Sequence, residues 1–169
     1  IQTANLNILG SGMANVAAFG SGNAGHIEIT AESVAIKGDG ALVLTASGSG
    51  KGGKLSLNAT SVTLSENAEI TGSVSGDAFG DLLQFNTTSL VLQDFAEIAS
   101  NTTGSGVGGT IDINTTDFHI QDRAGITAET LTPGEGDAGL IEIDASNFVM
   151  AGGLIITNTK SAGVGGTVE

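Results

Sequence analysis

The sequence contains no cysteine, no tryptophan and no tyrosine, and only one proline among its 169 residues. The absence of cysteine excludes a disulfide framework and a thiolate metal site. The absence of Trp and Tyr removes the amphipathic aromatic side chains that stack on sugar rings. The length fits one domain, whose core must be mainly aliphatic.

Basic residues are also scarce, because 5 Lys and Arg side chains stand against 18 Asp and Glu, giving a net charge of −13. So few cations cannot neutralise a run of phosphates, which argues against nucleic-acid binding. An anionic membrane surface would repel the chain, and no apolar run is long enough for a transmembrane helix. A divalent cation or a basic partner would be attracted.

The strongest positive feature is a repeat of 28 residues. Its most regular apolar column consists of Ile1, Ile29, Leu57, Phe85, Ile113 and Ile143. Successive members are 28 residues apart, except for the last step of 30. Repetition at a fixed period of about 20–50 residues is typical of solenoids and related repeat architectures.

Within each repeat, apolar and polar residues alternate as in half-buried strands. If His26 is numbered as position 1, apolar side chains occupy positions 2 and 4, positions 9 and 11, and position 17. A glycine-rich stretch closes the repeat and permits the positive φ angles of a sharp return. The fifth repeat is lengthened in this stretch, at residues 132–136, where an insertion is tolerated best.

The pattern predicts an all-β fold, a right-handed parallel β-helix of about six coils with three short strands per coil. The predicted coils are 1–25, 26–53, 54–81, 82–109, 110–139 and 140–166, with 167–169 opening the next. Phe118 and Phe148 are expected to stack in neighbouring coils. We expect a single β-helix segment that belongs to a longer solenoid.

A motif of alternating strand residues preceded by a glycine-rich return recurs along the whole chain. It is read most easily in Gly22-Asn23-Ala24-Gly25-His26-Ile27-Glu28-Ile29 and Asp137-Ala138-Gly139-Leu140-Ile141-Glu142-Ile143. The motif resembles the filamentous haemagglutinin-type exoproteins of bacterial two-partner secretion, in particular the S-layer-like haemagglutinin repeats of cyanobacteria. The resemblance implies a secreted, surface-attached β-helical fibre or adhesin.

Repeat position 5 carries an amide or carboxyl side chain in four consecutive coils: Asn58, Asn86, Asn114 and Asp144. Stacked Asn side chains can hydrogen-bond to their neighbours and to the turn backbone. We therefore interpret this column as a structural ladder, with a ligand-binding role as the alternative.

Five carboxylates fall on one predicted edge, at repeat positions 13 and 16. They are Glu66, Asp94, Asp122, Glu69 and Glu97. Like charges in adjacent ladder positions destabilise a sheet, so either solvent or a bound cation must relieve the repulsion, and Arg123 could relieve part of it. The two interpretations are a solvated acidic edge and a Ca²⁺ site.

Outward position 3 also carries acidic side chains, and Asp112 and Glu142 are expected to be neighbours there. Paired carboxylates can hydrolyse glycosides, so a β-helical polysaccharide lyase or hydrolase is one alternative function.

His26 and His119 occupy different repeat positions, which does not suit a zinc site.

The sequence favours a non-catalytic role as a stiff segment of a secreted, cell-surface fibre or adhesin that serves surface attachment or intercellular contact. Expected partners are neighbouring segments of the same fibre and cell-surface glycans or receptors, without nucleic-acid binding or membrane insertion. The expected location is extracellular, at the cell surface or outer membrane. A self-assembling surface-layer module is the second alternative function.

Overall fold

The computed structural model describes residues 1–77, 79–131, 134–160 and 162–169. It is an all-β solenoid of about six coils, built from two parallel sheets that run along its axis. The predicted parallel β-helix is confirmed. The described residues include no helix that could cross a membrane.

One sheet is formed by the long strand of each coil, and the other by the short strand that follows it. The long strands are β1 (Gln2–Leu9), β3 (His26–Lys37), β5 (Lys54–Ser65), β7 (Leu82–Leu92), β9 (Thr110–Gln121), β11 (Leu140–Ala151) and β13 (Thr167–Val168). The short strands are β2 (Met13–Gly20), β4 (Ala41–Gly48), β6 (Glu69–Gly76), β8 (Glu97–Thr102), β10 (Gly125–Thr127) and β12 (Leu154–Ile156).

The expectation of three separate strands per coil was wrong in one respect, because the first two are continuous. Ala31 pairs with Ala59, and Ser33 pairs with Ser61, whereas the residue between them is skipped in the ladder. The strand bends at this repeat position 7 in every coil. The bend moves the buried side chains from even to odd positions, which explains why the sequence suggested two strands.

The register between coils follows the repeat. Ile29 pairs with Leu57, which pairs with Phe85, and all three side chains are fully buried. Between β9 and β11 the offset grows to 30 residues, as shown by the pair Thr110 and Leu140. The lengthened segment includes Thr132 and Pro133, which lie outside the described residues.

The core is a stack of aliphatic columns with a few aromatic rings. Phe118 is fully buried, and its ring stacks on Phe148 with the centroids 5.2 Å apart and the planes at 26°, as predicted. Burying such side chains stabilises the fold by roughly 1.5–3 kcal/mol each. At the first coil, Leu6 and Ile8 pack against the same core but are only partly buried.

Candidate functional sites along the solenoid

The five carboxylates predicted to share one edge are called the acidic column here. Three of them, Glu66, Asp94 and Asp122, lie in three stacked turns. Each turn has two consecutive positive-φ residues: Glu66 and Asn67, Asp94 and Phe95, and Asp122 and Arg123, with φ between 52° and 66°. A backbone hydrogen bond closes each turn, as from Ala68 N to the Ser65 carbonyl at 3.3 Å. These are the features of a type I′ turn, in which non-glycine residues are strained.

The turns also bond to one another along the axis. Asn67 N donates to the Asp94 carbonyl at 3.0 Å, and Phe95 N donates to the Asp122 carbonyl at 3.1 Å. The Arg123 guanidinium carbon lies 5.5 Å from the centre of the Phe95 ring, in the range of a cation–π contact. The backbone of each coil therefore fixes the position of the next acidic residue.

Arg123 lies over an aromatic ring, whereas the sequence suggested that its charge would relieve the repulsion between neighbouring carboxylates. Over the described part of the chain, Lys160 forms an ion pair with Glu129 at 3.7 Å, and His26 lies 3.8 Å from Glu28, a contact that is an ion pair only when the imidazole is protonated. A planar guanidinium can stack on an aromatic face, and the Phe95 ring of the preceding coil supplies that face.

The remaining two carboxylates of the column lie on the short strands. Glu69 pairs with Glu97 in register, and Glu97 Oε1 accepts a hydrogen bond of 2.8 Å from the Thr127 hydroxyl. Within the residues described, no group of three or more His, Asp or Glu side chains converges as a metal site would require. The Ca²⁺ site at these carboxylates stays a prediction.

The amide column lies in register on the outer face of the long-strand sheet. Asn58 pairs with Asn86, Asn86 with Asn114, and Asn114 with Asp144. Asn86 Nδ2 donates to Asn58 Oδ1 at 3.1 Å, which is the ladder contact that stacked Asn residues can make. The column borders an open groove of about 390 Å³ at the strand bend.

The groove follows the bend in the strands, with polar side chains on both sides. It is lined by Ala31, Asn58, Ala59, Thr60, Asn86, Thr87, Thr88 and Asn114. Beyond the bend, Ser33 donates to Asn5 Oδ1 at 2.6 Å, and Asn147 Nδ2 donates to Asp117 Oδ1 at 2.8 Å. The residues that line the groove therefore present amide and hydroxyl groups, whereas the charged Asp117 lies beyond the bend.

The two acidic residues considered for catalysis are neighbours in the sheet. Asp112 pairs with Glu142 between β9 and β11, and Asp112 Oδ2 accepts a hydrogen bond of 2.9 Å from Gln84 Nε2. His26 begins β3, whereas His119 lies in the second half of β9. The structure thus brings the carboxylates together but leaves the histidines apart.

Sequence reasoning missed the buried carboxyl group of Asp81, which is 2% exposed. Its Oδ1 accepts a hydrogen bond of 2.6 Å from Gly53 N, while Oδ2 is buried and has no partner among the described residues. Burial raises the pKa of Asp81 and the hydrogen bond from Gly53 opposes part of that rise, so that the pKa is about 6. The sequence does contain a signal for this residue, because Asp81 occupies repeat position 28, where the other coils have glycine.

No family model, curated protein or solved structure matches this chain. Its function must therefore be argued from the geometry of the solenoid and from the side chains along its faces.

Proposed function

We propose that this chain is a stiff, non-catalytic segment of a secreted, cell-surface fibre or adhesin. The observation that carries the proposal is the continuous parallel pairing of the long strands from β1 to β13. Backbone hydrogen bonds run parallel to the axis in every coil, so bending the rod would strain many bonds at once. Such a rod can hold a binding surface away from a cell.

The side chains divide between interior and exterior as a scaffold requires. The interior columns at repeat positions 2, 4, 9 and 11 stay apolar from coil to coil, with Leu57 and Leu64 fully buried on one coil and Phe85 and Leu92 on the next. The outer faces vary, with Ser, Thr and Asn prominent. The repeated part of each coil therefore serves packing, which supports a mechanical role over a catalytic one.

Both end surfaces of the solenoid expose apolar side chains. At one end, the core side chains of Leu6 and Ile8 are only partly buried; at the other, Phe148 and Met150 are 44% and 50% exposed. The outer strands there also present backbone groups that could pair with another strand. We propose that stacked coils cover these surfaces, supplied by neighbouring segments of the same fibre or by a second copy.

A charge placed on an end surface tests axial stacking. Ile8→Glu introduces a carboxylate on the partly buried end of the core, and Asn7→Glu places the same charge on the adjacent, exposed residue. Sedimentation velocity over a concentration series should show association of the wild-type chain and of Asn7→Glu, but not of Ile8→Glu. Equal association of both variants would contradict axial stacking.

Electron microscopy of cells that produce the protein, labelled with an antibody against this chain, tests the proposed cellular role. Labelled filaments or a fibrous surface coat are expected. Label confined to the cell interior would overturn the proposal of a secreted, surface location. A regular labelled lattice would favour the alternative of a self-assembling surface layer.

A polysaccharide-active enzyme is the second candidate, and the adjacency of Asp112 and Glu142 is the observation that favours it. Incubation with acidic and neutral polysaccharides, followed by assays for reducing ends and unsaturated products, tests this activity. Turnover that is lost in Asp112→Asn but retained in Asp39→Asn would replace the scaffold proposal with an enzymatic one.

A further inference from the structure

The amide column coincides with a repeated acceptor pattern for sugar attachment. Three consecutive coils carry Asn-x-Thr at positions 5–7: Asn58-Ala59-Thr60, Asn86-Thr87-Thr88 and Asn114-Thr115-Thr116. Asn-x-Ser/Thr without a central proline is the acceptor pattern of N-linked glycosylation. Because the pattern is short and occurs often by chance, its accessibility in the fold decides its meaning.

In all three coils, the pattern lies across the bend of the long strand. The acceptor Asn86 and the hydroxyl-bearing Thr88 are exposed, and so are Asn114 and Thr116. The residue between them is turned inward, as shown by Thr115, which is buried. Strand alternation therefore places the amide and the hydroxyl on one solvent-facing side of the sheet.

The groove at the bend leaves space beside these amides. Asn58, Asn86 and Asn114 all line its open volume of about 390 Å³, so a sugar linked to Nδ2 would extend into solvent without displacing the core. The only hydrogen bond between two of these amides in the described chain is the one from Asn86 to Asn58. An exposed amide–amide bond of this kind contributes little net stability.

We propose that Asn86 and Asn114, the two exposed amides of the pattern, are N-glycosylation acceptors, which would place sugars on neighbouring coils along the bend. The co-substrate is an activated sugar phosphate, carried on a nucleotide or a lipid. The amide Nδ2 forms a bond to the anomeric carbon, and the bond from that carbon to the donor's phosphate oxygen breaks. The phosphate leaves with the electron pair, and the amide proton passes to a base of the transferase.

A fourth Asn-x-Thr tripeptide, Asn101-Thr102-Thr103, provides an internal comparison. Asn101 Oδ1 accepts a hydrogen bond of 3.2 Å from Glu129 N, and the Thr103 hydroxyl lies 3.5 Å from the Val74 carbonyl. Both side chains are half-buried. This acceptor is held by the fold and should stay unmodified in a chain that is modified after folding.

The test is glycopeptide mapping by mass spectrometry on protein purified from the cells that produce it. Sugar-bearing peptides containing Asn86 and Asn114 are expected, with the peptide containing Asn101 unmodified. Absence of sugar from both Asn86 and Asn114 would overturn the proposal. Modification of Asn101 to the same extent would also overturn it, because accessibility in the folded chain would then have no role.

Variants expressed in the same cells separate acceptor chemistry from structure. Thr88→Ala should abolish modification of Asn86, whereas Thr88→Ser should retain it, and both should keep the wild-type melting temperature within about two degrees because Thr88 is exposed. Retained modification of Asn86 in Thr88→Ala would contradict acceptor recognition at this site. The two end surfaces are untouched in these variants, so failure of glycosylation is distinguishable from failure of axial stacking.

Discussion

Gly72 leaves the space that the Asp81 side chain fills, since a Cβ atom added to Gly72 would lie 2.6 Å from Asp81 Oδ2. The other coils show the reverse arrangement, with a side chain at or equivalent to position 19 facing a glycine at position 28. These pairs are Val16 and Gly25, Leu44 and Gly53, Ser100 and Gly109, Ala128 and Gly139, and Thr157 and Gly166. The third coil thus fills the same interior space from the opposite side of the solenoid.

This relationship predicts a strong coupling between positions 72 and 81. Gly72→Ala should destabilise the fold by about 1–3 kcal/mol, because the new methyl group overlaps the carboxyl group. Adding Asp81→Gly should remove most of that loss, since the double variant recreates the Ala128 and Gly139 pair of the fifth coil. Urea unfolding of the wild type, both single variants and the double variant measures the coupling. Additive effects would contradict the proposed exchange.

Asp81 also predicts an unusual pH dependence of stability. Its pKa is 3.8 when unperturbed and about 6 in the fold, so the folded state favours the protonated acid. Full stability is present below pH 3.8, and the contribution is lost as pH rises through about 6. The difference amounts to roughly 3 kcal/mol between these limits.

The Asp81→Asn variant isolates this contribution from the titration of the other carboxylates. Near pH 4 its free energy of unfolding should approach that of the wild type, and at pH 7.5 it should be the more stable of the two. Asp39→Asn, which removes an exposed carboxylate, should show no such change with pH. A constant difference between wild type and Asp81→Asn from pH 4 to 7.5 would argue against the buried, neutral acid.

The strained turns predict a stabilising substitution. Glu66 has a φ of 61°, and the equivalent positions of the first two coils are Gly10 and Gly38, also at positive φ. Glu66→Gly should raise the free energy of unfolding by about 1 kcal/mol, because glycine adopts this conformation without the steric cost. Glu69→Gly, in strand β6, should instead be destabilising. Thermal unfolding of both variants provides the measurement.

Glycines in the return stretch should differ according to what lies beside them in the stack. A Cβ atom on Gly50 would overlap the Gly22 carbonyl oxygen, whereas a Cβ atom on Gly22 would meet nothing within 4 Å. Gly50→Ala should therefore lower the melting temperature by several degrees, and Gly22→Ala should leave it nearly unchanged. Circular dichroism melts of the two variants suffice; similar melting temperatures would contradict the close stacking of the returns.

A Ca²⁺ titration distinguishes the two interpretations of the acidic column. A cation bound by Glu66, Asp94 and Asp122 should raise the melting temperature along a saturable curve, and Asp94→Asn should weaken that response. NaCl at matched ionic strength controls for screening. An equal response to both salts would remove the cation site and leave a solvated acidic edge.

Much of the fold could be predicted because each coil repeats the same pattern of apolar, polar and glycine positions. The apolar column from Ile29 to Ile113 is enough to identify the buried face and the register between coils. The continuity of the long strand could not be predicted. A bend within one strand and a turn between two strands both move the apolar residues from even to odd repeat positions. The position of Arg123 was also missed, since a contact with Phe95 depends on two turns stacking in space.

The sequence by itself determined the coil length, the inward and outward positions and the glycine-rich returns, because these depend on periodicity along one strand. Tertiary structure alone decided that Asp81 is buried opposite Gly72 and that Asn86 faces an open groove. It also decided that Asp94 lies in a left-handed turn. These features depend on distances across the coil and between coils, where steric fit and desolvation act between residues far apart in the chain.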